Sequence, residues 1–278
     1  MPTADIRTQW ESAAPGWARW ESTIATWMEP ATEAMLAMAG VDAGARVLDL
    51  ASGAGSQTLR AAQRVGAQGH VVASDIADMM LYHVQKNARA AGLTNVTTLA
   101  GAAEDLTVSA GSFDAVICRL GLMLFRDPAK ALRAVRRALR RGGKIAVVVF
   151  TTPAGNAFMA EPMQILLCHA GKTLPALGQP GIFALGAPAV LEQLLVDNGF
   201  VNVEQRIMAL PLRMPSAAQA LAMMQEAFGA YRAVVSDCPE TVQETAWADA
   251  AETLKRFETP TGFVAPAEVL VAASVKPV

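Results

Sequence analysis

The sequence is short of the side chains that build disulfide scaffolds and metal centres, with three cysteines and three histidines in 278 residues. Cys118, Cys168 and Cys238 stand far apart and form no CxxC pair. The spacing therefore excludes a disulfide framework, and no metal site is predicted.

A strong excess of charge and a long apolar run are also lacking. The formal net charge is −2, so the chain lacks the excess of positive charge that is typical of nucleic-acid-binding proteins. The one basic run, from Arg133 to Lys144, alternates with Ala, Val and Leu and is interpreted as the solvated face of a helix. No apolar stretch approaches the ~18–20 residues that cross a bilayer, and the first ten residues show no secretory signal. We expect a cytoplasmic protein without a membrane span, acting as a monomer or homodimer.

Core-forming residues, by contrast, are abundant, since 53% of the chain is hydrophobic. A chain of this length fits one large domain, residues 1–278. Residues 1–45 are predicted to be helical, and Trp17, Trp20, Ile24 and Trp27 recur there at the three- and four-residue spacings of one buried helix face. This face either packs over the core or forms a lid in which Trp17 or Trp20 closes over a ligand.

Strand and helix patterns alternate through residues 46–150. The predicted strands are 47–50, 70–74, 96–100, 113–118 and 144–150, with helices at 56–65, 77–91 and 128–140. This alternation predicts an α/β, Rossmann-like fold with a seven-stranded, mostly parallel sheet and helices on both faces. The last two strands are predicted at 200–210 and 268–275. Helical inserts at 151–186 and 212–262 are expected to cap the strand ends, where such sheets bind ligands.

The first strand runs directly into a glycine turn, in the sequence RVLDLASGAG at residues 46–55. Gly53 and Gly55 let the backbone approach a ligand, although Thr58 replaces the third glycine of a dinucleotide fingerprint. Asp49 ends the strand, where a carboxylate suits a cation better than a pyrophosphate. We expect the amides of the turn to satisfy Asp49 while its charge faces a ligand with an adenosine and a positive charge. The alternative is that Asp49 is a structural cap on the turn.

Candidate contacts for the adenosine follow the second and third strands. An acidic residue at the end of the second strand can accept hydrogen bonds from both ribose hydroxyls, and this fits NAD equally well. The candidates are Asp75 for the ribose and, around the adenine, Ile76, Met80, Ala102, Ala103 and Glu104. Met80 lies either against the adenine face or in the core, and Glu104 is expected to accept a hydrogen bond from the exocyclic amine.

Four ordered segments resemble a known family. VLDLASGAG, VVASDIADMML, GAAEDL and SFDAVICRLGLMLFRDPAKALRAVRRALRRGGKIAVVVF look like a class I S-adenosylmethionine-dependent methyltransferase. The resemblance is closest to the type 11 methyltransferases of ubiquinone and menaquinone biosynthesis. It covers residues 40–150 strongly, and 186–210 and 262–276 more loosely. It implies S-adenosyl-L-methionine as methyl donor, S-adenosyl-L-homocysteine as product, and a small-molecule methyl acceptor.

The resemblance also implies roles for single residues. The matching positions are Asp49, Gly53, Ala54 and Gly55 around the methionine moiety, Asp75 at the ribose, Ala102 and Ala103 at the adenine, and Cys118 and Arg119 between the methionine portion and the substrate. Ala102 stands where the family often has Asp or Asn, which leaves side-chain recognition of adenine to Glu104. The Asn-Pro-Pro-Tyr element of adenine and glutamine N-methyltransferases is absent, which argues against nucleic-acid bases as acceptors.

A general base is needed only when the acceptor atom carries a proton of high pKa. His70 and His83 fall on a strand and its following helix and are interpreted as structural or exposed. His169 lies in an insert expected to cover the site and is the predicted base, with Tyr231 and Glu161 as lesser candidates. The Met-, Leu-, Phe- and Ala-rich inserts predict an apolar pocket for a hydrophobic, aromatic or polycyclic acceptor, methylated at oxygen, nitrogen or carbon.

Two other functions share part of this pattern. An NAD(P)-dependent oxidoreductase would share Asp75 but should lack Asp49, keep the third glycine, and offer a hydride-site pair that we do not find. A non-catalytic cofactor-binding protein is the second alternative, because the sequence assures no catalytic base.

Overall fold

The chain folds around one central sheet in the computed structural model, which describes residues 3–173 and 180–278. In chain order its helices and strands are α1 (Thr3–Met38), β1 (Arg46–Leu50), α2 (Ser56–Val65), β2 (His70–Asp75), α3 (Asp78–Ala90), β3 (Val96–Ala100), β4 (Phe113–Arg119), α4 (Pro128–Ala138), β5 (Leu139–Phe150), α5 (Ala157–His169), α6 (Pro188–Asp197), β6 (Val201–Ala209), β7 (Leu212–Met214), α7 (Ala217–Ala227), α8 (Gly229–Val235), α9 (Glu240–Leu254), β8 (Glu258–Thr259), β9 (Gly262–Ala265) and β10 (Glu268–Val275). Residues 1–2 of the predicted N-terminal segment and 174–179 of the predicted 151–186 insert lie outside the described residues.

The central sheet has seven strands in the order β3-β2-β1-β4-β5-β10-β6. The first five pair in parallel, and β10 pairs antiparallel with both β5 and β6. Val47, Leu48, Asp49 and Leu50 are consecutive and all buried. Because successive strand residues point to opposite faces, β1 is covered on both. The predicted α/β class with a seven-stranded, mostly parallel sheet is confirmed.

The glycine pair after α4 differs from the prediction. The sequence predicts a helix up to residue 140 and a strand from 144, which leaves Gly142 and Gly143 between them, but α4 ends at Ala138 and β5 begins at Leu139. The N–H of Gly142 donates to the carbonyl of Lys276 at 3.0 Å, and the N–H of Lys276 donates to the carbonyl of Gly143 at 2.9 Å. Pairing with the chain just beyond β10 therefore draws both glycines into the strand.

The 212–262 insert was predicted to be helical, but it also holds part of a second sheet. Strands β7, β9 and β8 form this three-stranded sheet, and α7, α8 and α9 complete the region. Pro239 separates α8 from α9, as its backbone restriction predicts. Strands of two to four residues are too short to show a periodic pattern in a sequence.

Helix α1 packs in the core along its second half. It spans 36 residues and contains Pro15 and Pro30. Ile24, Met28 and Leu36 are buried in the main core, so the second half of α1 packs as an ordinary core helix. No helix within 3–173 and 180–278 is long and apolar enough to cross a bilayer.

Candidate active site

One cavity of about 450 Å³ lies at the carboxyl ends of β1, β2 and β4. Ala51 follows β1, Asp75 ends β2 and Arg119 ends β4, and all three contribute to its wall. The chain runs from β1 outward through β2 to β3 on one side, and then crosses back to β4 on the other side of β1. Ligands of open α/β sheets bind in the crevice at this switch point.

The glycine turn after β1 forms one wall of this cavity. Gly53 lines the cavity with a φ of 55°, and Ala51 before it adopts a φ of 52°. A Cβ atom on Gly53 would lie 3.0 Å from Nε1 of Trp17, so the absence of a side chain lets α1 close over the turn. The predicted contacts Ala54 and Gly55 are buried and do not line the cavity. Gly55 instead leaves room for Val84 of α3.

Asp49 is placed differently from the prediction. Its carboxylate is fully buried, outside the cavity wall, and accepts hydrogen bonds from Thr58 Oγ1 at 2.5 Å and Gln57 Nε2 at 3.4 Å. These are side chains of α2, whereas we expected amides of the glycine turn. Burial raises the pKa of Asp49 to about 7, while the hydrogen bond from Thr58 and the charge of Arg119 oppose that rise.

Asp75 holds the turn instead. Its Oδ2 accepts the N–H of Gly53 at 3.0 Å, and its Oδ1 accepts the N–H of Ala77 at 3.0 Å. The residue lines the cavity and is only 7% exposed, and burial raises its pKa to about 6. The predicted neighbours Ile76 and Met80 also line the cavity. The structure thus brings the ribose candidate and the glycine turn together.

The loop after β3 forms the next part of the wall. Ala102, Ala103 and Glu104, the predicted adenine contacts, all line the cavity. However, Oε1 of Glu104 accepts the backbone N–H groups of Arg126 at 3.0 Å and Asp127 at 3.4 Å. One oxygen of Glu104 therefore fixes the loop before α4, a role that the sequence did not reveal because the partners lie 22 and 23 residues away.

Arg119 is the buried cation of the site. Its guanidinium donates to Thr32 Oγ1 of α1 at 3.0 Å and to Ser56 Oγ of α2 at 2.6 Å. It lines the cavity, but the predicted neighbour Cys118 does not, and burial raises the pKa of the Cys118 thiol to about 12. Leu120 follows in the left-handed region with a φ of 63°. Such backbone conformations in non-glycine residues cluster at functional sites.

Asp105, Arg126, Asp127 and Lys130 also line the cavity, and a large apolar and aromatic part of the wall was not predicted residue by residue. It is made by Ile6, Trp10, Trp17, Ile24, Trp27, Phe150, Met159, Ile182, Phe228 and Tyr231. The ring centroids of Trp17 and Phe228 lie 6.2 Å apart, so α1 contacts the start of α8 over the cavity. We call this aromatic surface, formed by Trp10, Trp17 and Phe228, the roof of the cavity. Tyr231 donates to the carbonyl of Met159 at 2.8 Å and Trp27 to that of Leu210 at 2.7 Å. Because both polar ring atoms are used within the protein, this part offers a ligand mainly apolar surface.

The predicted base does not face the cavity. His169 ends α5, and its Nε2 lies 2.8 Å from Oδ2 of Asp249 in α9, outside the cavity wall. The expectation that His169 points into the site is therefore wrong. Glu161 forms an ion pair with Arg256 and does not line the cavity either. Of the three candidates only Tyr231 does, and burial raises the pKa of its phenol far above the usual value.

Known proteins are similar to this chain in sequence and in fold. A model of the ubiE/COQ5 methyltransferase family matches residues 26–183. The ubiquinone/menaquinone biosynthesis C-methyltransferase UbiE of Idiomarina loihiensis is 36% identical over 141 residues, 50% of this chain and 55% of that protein. The UbiE protein of Yersinia enterocolitica is 38% identical over 179 residues, 59% of this chain and 69% of that protein. The chain thus spans about half to two thirds of the length of these relatives.

A solved structure extends the likeness to most of the fold. The YcgJ protein from Bacillus subtilis matches with a TM-score of 0.61 at 17% identity, covering 90% of this chain and 99% of that one. At this identity the likeness concerns the fold alone.

Proposed function

The chain belongs to the ubiE/COQ5 methyltransferase family, and from this premise we propose that it transfers a methyl group from S-adenosyl-L-methionine to a small hydrophobic molecule. The observation that carries the proposal is one cavity with two unlike ends. Asp75, Gly53 and Ala103 form a polar end at the strand termini, and Trp27 and Phe228 belong to an apolar end under the helices. A polar nucleoside and an apolar acceptor would meet in such a space.

The residues of the polar end fit this donor. Asp75 presents a carboxylate in the cavity wall, which can accept hydrogen bonds from ribose hydroxyls while keeping those from Gly53 and Ala77, since a carboxylate has about four acceptor sites. Ser52 Oγ and Glu21 Oε2 are buried beside the turn and have no hydrogen-bond partner among the described residues. Ser52 lies between Ala51 and Gly53, which both line the cavity, so its unsatisfied oxygen fits a turn that a ligand completes.

S-adenosyl-L-methionine, when bound, would supply a methyl group activated by its sulfonium leaving group. The work left to the chain is to hold the acceptor in line with that methyl group and to exclude water, and positioning of this kind can supply ~7–11 kcal/mol. Trp10 and Trp17 of α1 and Phe228 lie together in the cavity wall, where their rings would shield a bound acceptor from water.

We infer an acceptor that is hydrophobic and aromatic or polycyclic, with oxygen, nitrogen or carbon as the methylated atom. The apolar wall supports this, because Met159, Phe150 and Trp27 offer it shape and dispersion contacts. None of the three histidines lines the cavity, and the raised pKa of Tyr231 makes it a poor base at neutral pH. The proposal is therefore catalysis by positioning, with an acceptor that is nucleophilic without a base.

We also infer a cytoplasmic enzyme that needs no nucleic acid and works as a monomer or homodimer. Cys118, Cys168 and Cys238 are all free thiols, which suits a reducing compartment. Light scattering coupled to size-exclusion chromatography tests the oligomeric state, and fractionation of the producing cells tests the location.

Calorimetry with S-adenosyl-L-homocysteine, S-adenosyl-L-methionine, NAD and NADP tests the cofactor. Binding of the first two alone is expected; binding of NAD or NADP alone would favour an oxidoreductase and overturn the proposal. Transfer of a labelled methyl group to phenols, aromatic amines and quinols then tests the acceptor class. Tight binding of S-adenosyl-L-homocysteine without transfer to any of them would favour a non-catalytic binding protein.

A further inference from the structure

The two helices that border the polar end of the cavity lack caps of their own. Helix α2 starts directly after the glycine turn with Gly55 as its N-cap, and α3 starts after Asp75 with Ala77 as its N-cap. Neither residue has a side-chain oxygen, so neither provides a side-chain cap for the free N–H groups of the first helical turn. Those N–H groups need acceptors from elsewhere.

Two carboxylates of α1 supply the acceptors. Glu11 accepts the N–H of Asp78 at 2.6 Å with Oε1 and the N–H of Met79 at 3.2 Å with Oε2, which are the first two amides of α3. Glu21 accepts the N–H of Ser56, the first amide of α2, at 2.8 Å. Negative charge is favourable at a helix N-terminus, which carries the positive end of the helix dipole.

Between these two contacts, α1 packs directly on the loops that form the cavity. Ala14 packs with Ala77 and Met80, and Trp17 lies over Gly53. Asp75 in turn ties Gly53 to Ala77 through its two oxygens. One segment of α1, residues 11–21, therefore spans both loops and fixes each at the start of its helix.

The same segment, residues 11–21 of α1, is also fixed to α7 through Glu226. Trp20 Nε1 donates to Glu226 Oε2 at 2.8 Å, and Arg19 donates to Glu226 Oε1 at 2.9 Å. Gly16 lies so close to α7 that an added Cβ would be 2.0 Å from the carbonyl oxygen of Glu226. The segment thus joins the loops at the polar end of the cavity to the aromatic roof.

We propose that Glu11 and Glu21 are positioning residues, which hold the two cavity loops in their binding geometry by capping α2 and α3 from α1. This inference rests on the proposed function, since the ligand positioned is the methyl donor. Without the caps, the loops after β1 and β2 populate looser arrangements, and the affinity for the donor falls with the fraction of molecules that remain competent.

The test compares Glu11→Ala, Glu21→Ala, Glu21→Gln and the double Glu11→Ala/Glu21→Ala variant with the wild type. Glu33→Ala is the matched control, because Glu33 is a carboxylate of the same helix that pairs with Arg60 and Arg64 of α2 at the surface and caps nothing. Two quantities are measured on the full chain: the Kd for S-adenosyl-L-homocysteine, and hydrogen exchange at the amides of Asp78, Met79 and Ser56.

Each alanine variant is expected to bind about fivefold more weakly and to exchange faster at its own amides, as the loss of an N-cap predicts. The double variant is expected to lose about 25-fold if the two caps act independently. Glu21→Gln keeps an acceptor oxygen and should recover most of the loss, whereas Glu33→Ala should stay within about twofold of the wild type.

Unchanged affinity in both alanine variants, or an equal loss in Glu33→Ala, would overturn the inference while leaving the proposed function intact. Absence of S-adenosyl-L-homocysteine binding by the wild type would overturn the proposed function and this positioning role together. Hydrogen exchange separates the two cases, because the capping bonds are still detected in protein without ligand.

Discussion

At the scale of single residues, Asp75 is expected to make ligand binding depend on pH. Burial raises its pKa to about 6, and hydrogen bonds from ribose hydroxyls would favour its ionised form. The affinity for S-adenosyl-L-homocysteine should therefore fall by up to about tenfold per pH unit below pH 6. Calorimetry at pH 5, 6, 7 and 8 measures this. An equal Kd at pH 5 and 7 would contradict it, and Asp49→Asn serves as control, because Asp49 titrates in a neighbouring range.

Asp49 makes stability depend on pH in the direction opposite to that of a salt-bridged carboxylate. Its pKa is about 7 in the folded chain and 3.8 as the ordinary value, so its contribution is complete below pH 3.8 and is lost as pH rises through 7. Asp49→Asn should remove this loss. Between pH 4.5 and 7.5 the free energy of unfolding should decline less in this variant than in the wild type. The difference between the two declines should be at most about 4 kcal/mol. Denaturant unfolding at both pH values measures the difference, and parallel curves would refute the assignment.

Gly53 is expected to be more sensitive in binding than in folding. In Gly53→Ala the left-handed φ of 55° costs about 1 kcal/mol, and the new Cβ lies 3.0 Å from Trp17 Nε1 in the cavity wall. We expect a loss of about 1–2 kcal/mol in stability and at least about tenfold in affinity for S-adenosyl-L-homocysteine. Gly44→Ala is the matched control, with a φ of 81° and no atom within 4 Å of its added Cβ. Equal binding losses in the two variants would show that only backbone strain matters.

At the scale of elements, the contact between α1 and α7 depends on packing more than on charge. Gly16→Ala places a Cβ 2.0 Å from the carbonyl oxygen of Glu226, so the two helices must separate, at a cost of about 1–3 kcal/mol. Arg19→Ala removes the ion pair to the same Glu226, yet should cost no more than about 0.5 kcal/mol, because Arg19 is 70% exposed. Thermal unfolding of both variants checks the order, and an Arg19→Ala loss as large as that of Gly16→Ala would reverse the interpretation.

The elements also show what a sequence can and cannot predict. Helix α2, strand β3 and strand β10 have the bounds predicted from their apolar patterns, because local propensity and burial agree there. The direction in which a helix turns a given side chain is decided by tertiary packing. His169 was therefore assigned to the site although it faces Asp249, and the caps from Glu11 and Glu21 were missed because their partners are distant in the chain.

At the scale of the whole molecule, the sequence predicted the architecture and the polar end of the site better than the apolar end. The mostly parallel sheet was predicted from the alternating strands and helices, and Gly53, Asp75 and Ala103 follow β1, end β2 and follow β3 in turn. The apolar end is assembled from α1, β5, α5 and α8, which contribute Trp27, Phe150 and other side chains that read as ordinary core. Only the fold brings such residues to one surface.

The place of β10 in the sheet has a consequence for how the protein is made. This strand is the last element in the chain, yet it lies between β5 and β6, so those two strands cannot be joined until it arrives. A ribosome adds ~5–20 residues per second, and the edges of β5 and β6 therefore stay unpaired for on the order of ten seconds after β5 has emerged. Until β10 is available the sheet is incomplete. Chaperones that bind unpaired strand edges should therefore associate with the chain until residue 275 has left the exit tunnel.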